Sequence, residues 1–198
     1  RSDGFSFDQT AMVTATLGSG SASRSLPVPG FGDAQVVRSQ LYIGSPIDVQ
    51  VWKELQPPST EYGLIVGSTL LPWISQEAFE PTTGRITWTQ SGTGTPDGVV
   101  AGTSYQRTTA SGTQIYNWRV LAPPGTLQVQ LPDLPTDLAA LAPQPGDTAT
   151  ADVTLVERSD YPAYATMRRR GDPDTRDSST LWQSATAVHY SGTRATSW

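Results

Sequence analysis

The fold is decided by residues 37–52, which read VRSQLYIGSPIDVQVW. Apolar and polar residues alternate in 37–43 and again in 47–52, and the Gly-Ser-Pro sequence at 44–46 between them is typical of a turn. Because successive side chains of a strand point to opposite faces, each run predicts a strand with one face on a core.

The same alternation recurs along the chain. Further runs lie at 13–17, 86–89, 116–120, 127–131 and 153–155, and clusters of Gly, Pro and Ser separate them. Short strands joined by such turns predict an all-β fold, an antiparallel β-sandwich of jelly-roll or immunoglobulin/fibronectin type. A helix-decorated α+β domain and a pair of small packed β modules are the alternatives.

Four segments depart from this pattern. Residues 70–79 lack alternation, and residues 136–141 follow a proline, so both predict short connector helices, the second with Thr136 as its cap. Residues 168–179 are polar and rich in turn formers, which predicts a long exposed loop. Residues 180–190 predict the last strand, in a register that their mixed pattern leaves open.

The composition limits the classes of function. The chain has 198 residues, a length that fits a single domain over residues 1–198. It has no cysteine, which excludes disulfides, thiolate metal sites and cysteine nucleophiles. The formal net charge of -5 argues against a nucleic-acid partner, since surfaces that bind nucleic acid are basic.

The composition also favours export. Only 16% of the residues are charged, and Thr and Ser are abundant, as is common in exported bacterial proteins. We therefore expect an extracytoplasmic location, in the periplasm, on the outer-membrane surface or secreted. No apolar run reaches the ~20 residues of a membrane span, whereas a lipid anchor upstream of Arg1 is compatible with the sequence. The start at Arg1 without Met predicts a mature or trimmed chain, or a domain of a larger protein.

Pro-rich turns and aromatic strands follow one another in residues 113–157. The motifs are Tyr116-Asn-Trp-Arg-Val-Leu-Ala-Pro-Pro-Gly125, Leu131-Pro-Asp-Leu-Pro-Thr-Asp-Leu138, Pro145-Gly-Asp147 and Val153-Thr-Leu155. This region resembles poorly characterised secreted proteins and lipoproteins of myxobacterial type, some of them described as carboxypeptidase-regulatory-like β-sandwich proteins. The resemblance implies an exported β-sandwich without established chemistry, and it transfers no catalytic residues.

The sequence contains few sets of residues that could form a catalytic site. His189 is the only histidine and no Gly-x-Ser-x-Gly motif is present, which disfavours a Ser-His-Asp triad and a histidine zinc site. Glu157 and Asp160 lie near a predicted strand end, before Tyr161 and Tyr164, and such a carboxylate pair suits glycosidase or lyase chemistry. Acidic residues at strand ends are also ordinary features of a β-sandwich.

One predicted loop carries a candidate metal site. Asp172, Asp174 and Asp177 are closely spaced in a turn, and their oxygens are ligands that suit calcium. The loop departs from an EF-hand because no Glu closes it, and the arginines at 168–170 and 176 are placed to neutralise the carboxylates. A salt-bridged loop without a cofactor is the favoured interpretation, with calcium as the alternative.

Aromatic residues provide the candidate binding surface, since the chain has six tryptophans and seven tyrosines. Trp88 and Trp118 share a face with apolar neighbours, which predicts core positions. Trp52 and Tyr42 alternate away from the apolar residues of their runs, and Trp182 lies in the ambiguous last strand. Because flat rings on an outer face bind sugars, these three are the predicted ligand-binding residues. A loop over Trp52, or a sheet buried on both faces, is the alternative.

These observations together predict a non-catalytic, exported module of the bacterial envelope or cell surface, used for binding, adhesion or structural assembly. Its expected partner is an envelope protein or a surface polysaccharide. The alternative is a carbohydrate-active enzyme, a carboxylate-based hydrolase or lyase.

Overall fold

Strands make up most of the structure. The computed structural model describes residues 35–43, 48–56, 70–161, 163–170, 187–193 and 196–197, and of the side chains in residues 35–56 it describes that of Gln50. The strands are β1 (Gln35–Ile43), β2 (Asp48–Gln56), β3 (Trp73–Glu80), β4 (Arg85–Ser91), β5 (Gly98–Thr109), β6 (Gly112–Ala122), β7 (Gln128–Gln130), β8 (Thr148–Arg158), β9 (Ala187–Thr193) and β10 (Thr196–Ser197).

These strands form two antiparallel sheets. The larger sheet has the order β1-β2-β9-β8-β5-β6, with β10 pairing with β8, and the smaller sheet has the order β3-β4-β7. The smaller sheet packs through β3 against β8 and β9 of the larger one, around an apolar core. This arrangement confirms the predicted all-β antiparallel sandwich.

The core lies between β3, β4 and β7 on one side and β5, β6 and β8 on the other. Every second residue at positions 99–105 of β5 and 149–155 of β8 is buried there, as expected for strands with one face on a core. Trp88 is buried in this cluster, and the half-buried Trp118 packs against it. The predicted core positions of both tryptophans are therefore confirmed.

A short helix covers the opposite face of the larger sheet. Helix α1 spans Tyr164–Arg170, and its buried Met167 packs in a second apolar cluster with Val100 and Val156. These two valines alternate with core residues of β5 and β8, so they lie on the other face of the same strands. The centre of the larger sheet is therefore buried on both faces.

One predicted connector helix is wrong. Residues 73–79 belong to strand β3, and residues 70–72 before them have no regular secondary structure. The register of β3 against β4 shifts between Ser75 and Ala78, and Gln76 adopts a positive φ of 53°. These features define a β-bulge, in which one extra residue is inserted into a strand.

The bulge explains why the sequence of β3 shows no alternation. An extra residue moves every later side chain to the opposite face of the sheet. Ile74, Glu77 and Phe79 are consequently all buried, although a regular strand places positions 74 and 77 on opposite faces.

Two further predictions are corrected in part. A 3-10 helix spans Thr136–Leu141 as predicted, but Thr136 is its first residue, and Pro135 holds the cap position without a side-chain hydrogen bond. The predicted loop 168–179 is wrong at its start, because residues 168–170 form the end of α1. The buried Met167 anchors that helical turn on the sheet, a tertiary contact that the polar local sequence does not reveal.

Other predictions fall partly or wholly outside the described residues. Strand β9 begins at Ala187 and continues to Thr193, beyond the predicted end at 190. Residues 13–17, 171–179 and 180–186 lie outside the description. No helix in the described part of the chain has the length and apolar character needed to cross a membrane.

Candidate functional site

Three carboxylates lie where β8 ends, those of Asp97, Glu157 and Asp160. The Asp160 carboxylate binds two guanidinium groups, with Arg158 Nε 2.9 Å from Oδ1 and Arg170 Nη1 2.7 Å from Oδ2. Asp97 Oδ2 accepts the backbone N–H of Arg158 at 2.7 Å. The two arginines therefore neutralise Asp160.

The electrostatics of this cluster distinguish its two remaining carboxyls. Burial raises the pKa of Asp97 in spite of the Arg158 backbone hydrogen bond, and the negative charges of Glu157 and Asp160 raise it further. The Glu157 side chain is 52% exposed, and its Oε2 lies 3.4 Å from Nδ1 of His189. A carboxyl with a raised pKa beside other carboxylates occurs in catalytic sites and also in structural clusters.

The inner face of β2 and β9 holds a buried polar group formed by Gln50, His189 and Ser191. Gln50 donates to the carbonyl of Leu71 at 2.6 Å and accepts the N–H of Leu71 at 3.0 Å. His189 Nε2 lies 3.1 Å from Gln50 Oε1, and Ser191 donates to the carbonyl of Pro72 at 2.8 Å. Because buried backbone groups outside a ladder need partners, these side chains attach the start of the smaller sheet to the larger one. The only histidine therefore has a structural environment.

The predicted ligand-binding and metal-binding residues are placed only in part. Trp52 lies in β2 opposite His189, and Tyr42 lies in β1 opposite Val49. The side chains of both, and the whole of Trp182, lie outside the described residues, so the aromatic surface stays a prediction. The same holds for the candidate calcium ligands Asp172, Asp174 and Asp177. Among the residues that are described, no three His, Cys, Asp or Glu side chains are grouped to hold a metal ion.

A largely buried ion pair, with side chains 15% and 3% exposed, fixes the loop that precedes β8. Arg107 in β5 binds both carboxylate oxygens of Asp147, with Nε–Oδ1 at 2.9 Å and Nη2–Oδ2 at 2.7 Å. The same guanidinium donates to the carbonyls of Ala140 and Ala142, at 2.5 and 2.8 Å. The hydrogen bonds from Arg107 hold the pKa of Asp147 below its usual value. Arg107 thus ties the end of the 3-10 helix to the sheet.

Stacked aromatic rings reinforce this attachment. The rings of Tyr105 and Tyr116 stack with centroids 5.0 Å apart, and the Arg107 guanidinium lies 5.4 Å from the centroid of Tyr116. The Tyr105 hydroxyl donates to the carbonyl of Leu141 and accepts the indole N–H of Trp118 at 3.1 Å. The guanidinium, the two tyrosine hydroxyls and the indole N–H of this group each have a hydrogen-bond partner, which is typical of a structural network.

Sequence reasoning missed this network, although one signal for it exists. Arg107 lies in phase with the core positions 99–105 of β5, so the alternation itself places a charged residue on the inner face. A cleft of about 340 Å³ lies beside it, lined mainly by polar residues such as Gln106, Thr108 and Gln144. Small-molecule pockets are lined predominantly by apolar and aromatic side chains, so this cleft lacks their usual character.

Strand β6 forms one edge of the larger sheet. It has 11 residues and pairs with β5 along its whole length without a register shift. On its other side no strand of the described residues pairs with it. It contains no proline, its only charged residue is Arg119, and the side chain of Ile115 is 63% exposed.

The edges of the smaller sheet differ from the β6 edge. Strand β7 has only three residues, and Pro132 follows soon after it. Strand β3 carries the bulge at Gln76 and ends at the exposed Glu80. Short strands, prolines, bulges and charges are the devices by which proteins block unwanted strand pairing. The β6 edge has one charge and none of the other devices.

The groups around Gln50 and Arg107 are hydrogen-bonded within the fold. In the described part of the chain, β6 and β1 are the two edge strands of the larger sheet, and β6 is the longer of them. No family model matches the chain, and no curated protein or solved structure is similar enough to it to count as a match.

Proposed function

We propose that the protein is a non-catalytic module of the bacterial envelope or cell surface that assembles with a protein partner by strand pairing along β6. The observation that carries this proposal is the uninterrupted 11-residue edge with one charged residue. Its extracytoplasmic location is supported by the sparse charge of the chain and by the resemblance of residues 113–157 to secreted β-sandwich proteins.

The chemistry of such an edge favours an extended polypeptide. In an edge strand every second residue directs its N–H and C=O away from its neighbour, and a partner strand satisfies these groups. Backbone hydrogen bonds then supply affinity, and alternate side chains supply selectivity. The exposed side chain of Ile115 offers an apolar contact to the added strand.

The proposal is tested with a displayed library of random ten-residue peptides, selected on the immobilised full chain. Wild type is expected to enrich peptides that alternate apolar and polar residues. The double variant Ile115→Lys/Asn117→Lys is expected to lose this enrichment, because charge on an edge strand opposes pairing.

The control for this selection is Gln106→Lys. Gln106 is exposed and pairs with Ile115, but it lies one strand further in, where an added strand does not reach it. It should enrich the same peptides as wild type. Failure of wild type to enrich such peptides, or equal enrichment by the double variant, would overturn the proposal.

The second candidate is a carbohydrate-active enzyme, and the raised pKa of Asp97 beside Glu157 favours it. Glycoside hydrolases use one protonated and one ionised carboxyl. The test incubates wild type and Asp97→Asn with a panel of surface and cell-wall polysaccharides and measures new reducing ends and unsaturated sugars. Release by wild type that Asp97→Asn lacks supports the enzyme, and no release by wild type removes it.

A further inference from the structure

At the centre of β6, an aromatic residue lies on each side of Asn117. Tyr116 and Trp118 flank it, and both are half-buried aromatic residues that pack against the core cluster. Asn117 itself is exposed and belongs to the opposite face, in register with Ser104 of β5. A strand with such a pattern is complementary to an antiparallel copy of itself.

If the β6 strands of two copies pair antiparallel with Asn117 opposite Asn117, the side chains of the inner face meet in fixed pairs. Tyr116 of each copy then lies opposite Trp118 of the other, since the two positions are equally distant from the centre. Aromatic pairs across neighbouring strands stabilise strand pairing, and the two-fold symmetry creates two of them. The rings are already held by their own sheet, so little side-chain freedom is lost on pairing.

The charge distribution of β6 agrees with the same register. Arg119 is the only charged residue of the strand, and pairing about Asn117 places it opposite Ile115 of the other copy. The aliphatic part of an arginine side chain can cover apolar surface, and Ile115 is 63% exposed. A register centred on residue 119 would instead oppose two arginines, which is unfavourable.

On these grounds, and resting on the proposed strand pairing, we propose that the partner strand is β6 of a second copy of this chain. The two copies form a two-fold symmetric dimer in which the larger sheets join into one continuous antiparallel sheet. The interface is isologous, so the same residues of β6 serve both sides. Asn117 lies on the symmetry axis and faces its own counterpart.

The position of Asn117 on the axis allows a charge-swap experiment on the full chain. Sedimentation velocity is expected to show wild type as a species of twice the 21.2 kDa chain mass. Asn117→Lys and Asn117→Glu are each expected to raise the dimer dissociation constant by about tenfold or more, because like charges meet at the axis. Mixing the two variants is expected to restore the dimer, since Lys then faces Glu.

The matched controls are Gln106→Lys and Gln106→Glu, alone and mixed. Gln106 is exposed, as Asn117 is, but it lies on β5, away from the axis, so neither variant should change the dimer. Far-ultraviolet circular dichroism and thermal melts confirm that all variants are folded.

The outcomes separate this inference from the function on which it rests. A monomeric wild type, or a dimer that the Asn117 variants leave unchanged, overturns the inference. If peptides still enrich on the β6 edge in that case, strand pairing with another protein stands. If neither the dimer nor the peptides are found, both proposals fall.

Discussion

At the scale of single residues, the Arg107–Asp147 pair is the interaction whose loss should cost the most. Asp147 has a 3% exposed side chain and accepts two hydrogen bonds from Arg107. We expect Asp147→Ala to lower the free energy of unfolding by about 2–3 kcal/mol, because it leaves a guanidinium without its anion. Urea denaturation measures this as a lower midpoint at unchanged slope.

The exposed pair Glu80–Arg85 is the matched control for that experiment. Its N–O distance of 2.7 Å equals the shorter contact in the Arg107–Asp147 pair, but its side chains are 47–48% exposed. Water and salt screen exposed pairs, so Glu80→Ala should leave the midpoint nearly unchanged. Equal losses of unfolding free energy in Asp147→Ala and Glu80→Ala would contradict the view that burial strengthens the Arg107–Asp147 pair.

Asp97 should make the stability depend on pH in the opposite sense to a salt-bridged acid. Its folded-state pKa is raised above the ordinary 3.8, mainly by burial, so its ionisation opposes folding. We expect Asp97→Asn, which keeps an oxygen acceptor for the Arg158 N–H, to be more stable than wild type at about pH 7. The difference should shrink as the pH falls through the raised folded-state pKa and disappear below the ordinary pKa, where Asp97 is protonated in both states. Chemical denaturation of both proteins across this range tests it, and a difference that grows on acidification would contradict it.

At the scale of elements, the bulge in β3 creates an unfavourable buried group. It turns Glu77 inward, where the residue is 5% exposed and its Oε1 has no hydrogen-bond partner among the described residues. The register shift places this segment opposite Trp88, whose Nε1 also lacks a partner there. Two unpartnered polar atoms in one core identify the bulge as the least satisfied element of the described structure.

Removing the buried carboxylate should therefore stabilise the fold. We expect Glu77→Leu to raise the free energy of unfolding by about 1–3 kcal/mol, the usual cost of an unsatisfied buried polar group. The control Glu80→Leu replaces an exposed residue of the same strand that accepts hydrogen bonds from Thr83 and Arg85, and it should bring no gain. Thermal melts compare the two variants. A lower melting temperature for Glu77→Leu than for wild type would contradict the prediction.

At the scale of the whole molecule, pairing of two copies couples stability to concentration. A partner that binds only the folded state stabilises it by mass action, so the melting temperature of wild type should rise with protein concentration. The rise for the Asn117→Lys variant should begin at protein concentrations about tenfold or more higher, because its dimer dissociates more readily. Differential scanning calorimetry over a wide concentration range provides the comparison, and a wild-type melting temperature that does not change with concentration would contradict the dimer.

What the sequence by itself determined is the local character of the chain. Alternation at 86–89, 116–120, 127–131 and 153–155 predicted strand segments that the structure contains, because the two-residue period of a strand is a property of neighbouring residues. The 3-10 helix at 136–141 was also predictable, because the proline that precedes it is a local signal. Even the burial of Trp88 followed from its neighbours.

Only the tertiary structure decided where long-range partners meet. Strand β3 could not be predicted from the sequence, because the residue inserted at its bulge interrupts the two-residue alternation by which a strand is identified. Arg107 and Asp147 are 40 positions apart, and no local pattern joins them. The edge position of β6 depends on the order in which distant strands pair, and the chain forms that order only by burying a shared core.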